Sequence, residues 1–419
     1  MSHSAVQHRL LPAITLLLLL GFSASAFAQT EAVIYSFTGG SDGGTPYGAL
    51  VADSAGNLYG TTYGGGSRNC GGGCGVVFEL SPAQGGWTEK VIHRFTGGSD
   101  GQKPQSGLYL DPISGNLFGT AAGGATGDGI VFALHSNVGV WTKSLIHLFH
   151  GQGEGNSPVL SGLISDSNSN LYGATAQGGD LTKCNFAGCG VIFKLSQSQA
   201  GGWKETVLHT FTGADGQNPV GNLQMDQAGN LFGATVGGGA ANGGTIFELS
   251  PNPGGGWKEA LLHSFAAVRF SEGWAPAGGV VIDSAGDVYG TTNTGGVTHS
   301  CCGTVFELSP GSRNWTETVL HAFNGPNDGS SPAAMLAFDQ VGNLYGTAVY
   351  GGGPSGDGAV YELSPNLDAW TFKSLHNFNI SDGEGPRSGL LVDSSGNLYG
   401  TVQTGGDYVA GAVYIITPQ

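Results

Sequence analysis

The chain has 419 residues, 78 of them Gly, with 30 acidic against 14 basic side chains and a formal net charge of −16. That charge excludes a basic nucleic-acid surface as a global property. So much glycine excludes long helices, because each interior Gly costs roughly 1 kcal/mol against Ala. Collagen is excluded too, since no three-residue glycine period runs through the chain and Pro numbers only 17.

The N-terminal segment 1–28 reads as a signal peptide. Arg9 with His3 and His8 gives a weakly basic start, Leu10–Phe22 is the apolar run, and Ala26-Phe27-Ala28 is a small-residue cleavage site. The run is too short for a comfortable membrane span. The mature segment 29–419 is therefore expected to be a single soluble domain without membrane insertion, secreted to the periplasm or the extracellular space. A monomer is expected.

From Gly48 onward the chain is periodic. The string GALVADSAGNLYGT at Gly48–Thr61 returns six more times, with its Asp at Asp53, Asp111, Asp166, Asp226, Asp283, Asp339 and Asp393. Periods of this length mark stacked or radial repeat architectures. In the first repeat, Ala49–Asp53 predicts one strand, and Asp53-Ser-Ala-Gly-Asn57 a hairpin turn. Leu58–Thr62 predicts a second strand, followed by a glycine-rich loop. Val76–Leu80 predicts a third, and Trp87–Phe95 a fourth, in which Val91, His93 and Phe95 alternate with Ile92 and Arg94. The inner strands are apolar on both faces, as expected of sheets sandwiched between sheets. Four short strands per repeat describe a blade, and seven repeats an all-β, seven-bladed β-propeller.

The ends carry the same pattern. The seventh repeat stops at its third strand, Ala412–Thr417, while Val33-Ile-Tyr-Ser-Phe37 matches the fourth strand of the other repeats. The N-terminal strand is therefore expected to join the last blade and close the ring, removing an open edge.

The GxxxDxxGNLY strand pair resembles the inner strands of NHL-type and lyase-type propellers. The longer unit, DGxxP…DxxGNLYGTT…GG…GxVFELSP…GGWTExVLHxF, resembles the bacterial GloVer tandem-repeat proteins across Val33–Thr417. That resemblance implies an exported protein, often bearing a C-terminal sorting anchor. Here only Pro418-Gln419 follow Thr417. The resemblance brings no catalytic set with it.

Residues that fill one slot in most repeats read as structural. Six His do so: His93, His147, His209, His263, His321 and His376, with Tyr35 in the seventh place. Spread round a ring, they are not expected to converge on one metal. Six Trp (Trp87, Trp141, Trp203, Trp257, Trp315 and Trp370) read as packing at the corner between third and fourth strands. Seven acids followed by Gly stand four residues before a Pro: Asp42, Asp100, Glu154, Asp215, Glu272, Asp328 and Asp382. Asp-Gly-x-x-Pro is turn chemistry. If these carboxylates pointed inward they would form a negative mouth, which makes Asp42, Asp100, Asp215, Asp328 and Asp382 weak calcium candidates.

What lies outside the repeat is short. Trp274 is the one Trp off the shared slot, next to Arg269 and Phe270, and Tyr47, Tyr63, Tyr350 and Tyr408 fall in loops of the same face. Exposed aromatics beside carboxylates suit a sugar or peptide; loop packing is the plainer account of the same residues. Cys70 with Cys74, Cys184 with Cys189, and Cys301 with Cys302 lie pairwise in three glycine-rich loops. In an exported chain their even number favours disulfides, and proximity favours pairing within each loop. His135, His150 and His299 lie outside the His slot, each available as a loop histidine or a general base. No G-x-S-x-G elbow, H-E-x-x-H site or P-loop occurs, and no cofactor is implied. The reading is an exported binding module for an extracellular carbohydrate, peptide or protein. A propeller lyase or hydrolase, and a structural envelope protein, are the alternatives.

Overall fold

The computed structural model describes residues 30–158, 161–198, 201–266, 272–296, 301–312, 314–367 and 369–417. Expectations for 1–28, and for Arg269, Phe270 and His299, lie outside the described residues. Among those residues the chain is β-structure with short 3-10 turns and no α-helix. No helix among them is long and apolar enough to cross a membrane.

Each repeat forms an antiparallel run of four strands. In the second repeat the strands are Tyr109–Leu110, Leu117–Ala121, Ile130–Asn137 and Val140–Leu148, hydrogen-bonded in that order. The third, sixth and seventh repeats form like sheets. The first adds a short strand, Gly44–Pro46, beside its second strand, Leu58–Gly64. The fourth and fifth merge into one eight-stranded sheet through a single parallel bridge, Asn222 to Gly279. The strand Thr30–Ser36 pairs antiparallel with Ala412–Thr417, from Thr30 opposite Thr417 to Ser36 opposite Ala412.

The expected first strand, Ala49–Asp53, is shorter than the sequence implied: only Val51–Ala52 pairs regularly. Residues before it are pressed against the neighbouring repeat instead. A Cβ on Gly48 would stand 2.4 Å from the Ser106 carbonyl oxygen, a separation that side chains do not tolerate.

Four repeated contacts hold the runs together. Asp53 Oδ1 accepts from the Ala55 and Asn57 amides, and its Oδ2 from Asn57 Nδ2 and Tyr59 Oη. This carboxylate fixes the hairpin from inside, the Asx chemistry expected of Asp before Gly. The outer-strand Trp meets an aromatic of the preceding repeat, as Trp141 meets Tyr59 at 5.8 Å and Trp87 meets Tyr399 at 6.3 Å. The outer-strand Phe meets a third-strand ring of the next repeat edge to face. Such pairs run from Phe37–Phe78 and Phe95–Phe132 to Phe323–Tyr361 and Phe378–Tyr414, at 4.9 to 5.2 Å. These rings are fully buried and form the core. Against each third-strand ring lies a second-strand glycine. A Cβ at Gly60 would stand 2.5 Å from Phe78 Cζ, so this glycine is there for close approach.

Candidate functional site

The innermost segments of the first, second, fourth, fifth, sixth and seventh repeats surround a central cavity of about 480 Å³. Its composition follows from one position. The repeated Pro ends the acid-Gly turn, and the residue after it opens the innermost segment of the repeat. That residue is Tyr47, Gln105, Val220, Ala277, Ala333 or Arg387, and all six line the cavity. The wall is therefore divided. Tyr47, Gln105 and Arg387 come from repeats one, two and seven and form a polar sector, while Val220, Ala277 and Ala333 form an apolar one. Arg387 is the sole charged residue among the described residues lining the cavity, and none of them is Asp, Glu, His or Cys.

The polar sector is prearranged. Arg387 donates from its guanidinium to Tyr350 Oη at 3.0 Å and to Gln403 Oε1 at 3.2 Å, and lies over the Tyr350 ring. The Tyr47 ring stands 5.9 Å from that of Tyr63, and the Lys103 ammonium sits 4.8 Å above the Tyr63 ring. Two cations are thus held on aromatic faces, where quadrupole attraction orients them without neutralising them. On a chain with a net charge of −16 this is a locally positive spot. Tyr350, half exposed, leaves part of its ring open to solvent.

Of the candidates read from sequence, the structure brings Tyr47, Tyr63 and Tyr350 to this sector. Tyr408 is exposed and lies toward Tyr35 on the outer strand, away from the cavity lining. Trp274 packs against the apolar core between the fourth and fifth repeats, with its Nε1 buried and without a hydrogen-bond partner. Gln105, Lys103 and Arg387 escaped the sequence reading. Gln105 and Arg387 fill the post-proline slot, which differs from repeat to repeat, and Lys103 fills the equally variable place before the Pro.

The acid-Gly carboxylates do not line the cavity. They turn to the outer strand. Asp42 accepts from the Thr38 amide, the Thr38 hydroxyl and Tyr35 Oη. Asp215 accepts from the Thr212 amide and meets His209 Nε2 at 2.9 Å. Asp328 meets His321 Nε2 at 3.0 Å, and Asp382 lies 3.2 Å from His376 Nε2. Asp100 lies 3.4 Å from His93 Nε2 and 2.8 Å from Lys143 Nζ. Burial pushes the Asp100 carboxyl up, but His93 and Lys143 outweigh it and hold the group well below the usual carboxylate range. The inward negative mouth is therefore replaced by outward His–carboxylate pairs.

The outer-strand position two after the Trp joins each pair from the next repeat. It is Glu89, Lys143, Glu205, Glu259, Glu317 or Phe372, with Glu31 on the N-terminal strand. Three junctions thereby gather a His and two carboxylates whose ligand atoms lie within 4.8 Å: Glu31–His376–Asp382, His147–Glu154–Glu205 and His263–Glu272–Glu317. The sequence reading treated these His as spread round a ring and away from any shared metal. It overlooked that each His meets its own acids.

Cys70–Cys74, Cys184–Cys189 and Cys301–Cys302 are disulfide-bonded, as their spacing implied. The first two bring Cα atoms to 5.0 and 5.3 Å, within ordinary disulfide geometry. His135 Nε2 meets Ser144 Oγ at 2.8 Å, and His150 Nδ1 meets Glu154 Oε2 at 2.8 Å.

No curated protein matches the chain. A fungal alcohol oxidase of the AA5 family, solved with copper, is similar over 93% of this chain and 76% of its own, at 14% identity and a TM-score of 0.56. A Lactobacillus plantarum protein is similar over 80% and 84%, at 13% identity and a TM-score of 0.51. A gluconolactonase from Xanthomonas campestris covers 74% and 84% at 12% identity, with a TM-score of 0.42. The first two likenesses, at identities this low, speak for the fold alone, a propeller-like arrangement of four-stranded sheets. The Gloeobacter/Verrucomicrobia repeat model matches residues 22–200 and 183–414, which together span nearly the whole chain. The chain belongs to the Gloeobacter/Verrucomicrobia repeat family, a GloVer-type tandem-repeat protein.

Proposed function

We propose that the protein is an exported, monomeric seven-bladed propeller. In this reading the ring is closed by the N-terminal strand, and the protein binds an extracellular carbohydrate, peptide or protein segment at its central cavity. Closure is supported by the Thr30–Ser36 pairing with Ala412–Thr417 and by the contacts Phe37–Phe78 and Trp87–Tyr399, which join the last repeat to the first. The three disulfides fit an oxidising, extracytoplasmic destination.

The observation that carries the binding role is the polar sector. Tyr47, Tyr63 and Tyr350 supply ring faces for a sugar or a peptide side chain, and Arg387 with Lys103 supplies positive charge. The ligand best matched is an acidic one, a uronate-bearing saccharide or a peptide carboxylate. Among the described residues the lining offers no carboxylate or imidazole for acid–base work, which favours binding over hydrolysis or elimination.

The test is an array of acidic and neutral glycans and peptides probed with the mature protein and with Arg387→Ala. Arg387→Ala is expected to weaken acidic hits at least ten-fold, and 0.5 M salt to weaken them in the wild type. Hits unchanged by both would sink the reading.

A further inference from the structure

The junction between the second and third repeats has the chemistry of a metal site separate from the central cavity. His147 lies near the end of the strand Val140–Leu148, Glu205 near the start of the strand Trp203–Thr210 of the next repeat, and Glu154 in the loop that follows Leu148. His147 Nε2 stands 3.7 Å from Glu205 Oε2, and a Glu154 oxygen completes a triangle within 4.8 Å. Two ligands of one tetrahedral zinc ion, each bound at ~2.0–2.2 Å, are separated by roughly 3.3–3.5 Å. The spacing is thus too long for a hydrogen bond and within a few tenths of an ångström of a shared cation.

The unpaired atoms point the same way. The Glu205 side chain is 8% exposed, yet its Oε1 has no hydrogen-bond partner, and neither has His147 Nε2. An unpartnered buried carboxylate is costly. His150 Nδ1, 2.8 Å from Glu154 Oε2, holds the loop carboxylate in place. Glu154 and His150 are both exposed, which leaves the loop side open to an incoming ion.

The neighbouring junctions act as internal comparisons. One repeat earlier, the position of Glu205 is Lys143, whose ammonium meets Asp100 at 2.8 Å. Three repeats later it is Phe372, stacked on His321 at 4.0 Å. There the chain supplies its own cation, or an apolar cover, to the His–acid pair. At Glu205 it supplies a further ligand.

We propose that His147, Glu154 and Glu205 bind a borderline divalent cation of the zinc class, bridging the outer strands of the second and third repeats. The one-nitrogen, two-oxygen donor set suits zinc, with water in the fourth position.

The experiment takes untagged full-length mature protein, strips it with chelator, dialyses it and titrates it with zinc at pH 7.5. Calorimetry and elemental analysis follow binding. Glu205→Gln is expected to lose one zinc equivalent relative to wild type and to weaken binding at this junction at least ten-fold. Glu205→Lys, which copies the Lys143 junction, is expected to fold and to lose the same equivalent. His135→Ala, which pairs with Ser144 and touches none of the three ligands, retains it. Cobalt substitution gives a readout independent of any variant's folding, a d–d absorption band in wild type. Unchanged stoichiometry in both Glu205 variants, or no wild-type band or zinc uptake below 1 mM, would overturn the assignment.

Discussion

Five repeats place Phe on the third strand against the second-strand glycine: Phe78, Phe132, Phe193, Phe247 and Phe306. The sixth and seventh place Tyr361 and Tyr414 there instead. Both are fully buried, and neither hydroxyl has a hydrogen-bond partner. The hydroxyl presses on the glycine, since a Cβ at Gly346 would stand 2.3 Å from Tyr361 Oη. Burial pushes both phenols far above the ordinary tyrosine range. A buried hydroxyl without a partner costs about 1–3 kcal/mol. Removing one oxygen leaves less space than a methyl group, so the cavity term stays under about 0.5 kcal/mol. Tyr361→Phe and Tyr414→Phe should each stabilise the fold by roughly 1 kcal/mol. With an unfolding entropy of about 2 cal/mol/K per residue, a domain of this length gains ~1–2 °C in Tm for each kcal/mol. Scanning calorimetry of the double variant should therefore show Tm raised by about 2–4 °C. A fall of more than 1 °C would mean that the hydroxyls are satisfied, by enclosed water for example, and would refute the reasoning.

Gly60→Ala should destabilise by about 1–3 kcal/mol, because its Cβ would overlap Phe78 Cζ at 2.5 Å. An unchanged denaturation midpoint would show that the ring can retreat. Stability should peak near pH 5. On the acid side, burial raises Asp53, Asp166, Asp339 and Asp393, but hydrogen bonds from the hairpin Asn and its neighbours outweigh it and hold them low. Their contribution is present above the unfolded carboxylate value and is lost as pH falls through the lower folded one. On the alkaline side, desolvation and then Asp42 push Glu89 up to about 7, so its contribution is present below about 4.5 and lost as pH rises through 7. Glu89→Gln should flatten the alkaline limb of a Tm–pH profile; an unaltered limb would count against this. Denatured, unreduced protein should take up no thiol label, and Cys70→Ser with Cys74→Ser should cost roughly 2 kcal/mol, the chain-entropy value for so short a loop.

Much of the fold was legible because each repeat restates it. The Asp-Ser-Ala-Gly-Asn57 hairpin, the third strand at Val76 and the strand at Val33 recur at matching places in the repeat, so seven weak signals act as one strong signal. The cavity wall was less legible. Post-proline residues such as Gln105 and Arg387 differ from repeat to repeat, and period-two patterning does not say which segment faces the axis when both faces are covered. The junction clusters depend on contact between consecutive repeats. Glu205 meets His147 across 58 positions of chain, and only the stacking of one sheet on the next brings them together. Trp274 stood out by breaking the pattern, but its ring is used in packing, which a sequence exception alone does not distinguish from a ligand contact.

The pairing of Thr30–Ser36 with Ala412–Thr417 sets an order of events. Every other hydrogen-bonded strand pair joins residues from one repeat or from two adjacent repeats, and can form as soon as that stretch of chain exists. The Thr30–Thr417 ladder joins the first and last described strands and spans the longest stretch of chain of any described strand pair. The leading strand must wait, with its backbone donors and acceptors in water, until the seventh repeat has been synthesised. Until then the seventh sheet has an open edge and the chain is at its most exposed to association with another copy. Folding of this sheet is thus coupled to synthesis of the seventh repeat, and the six residues from Ala412 to Thr417 complete the sheet begun at Thr30.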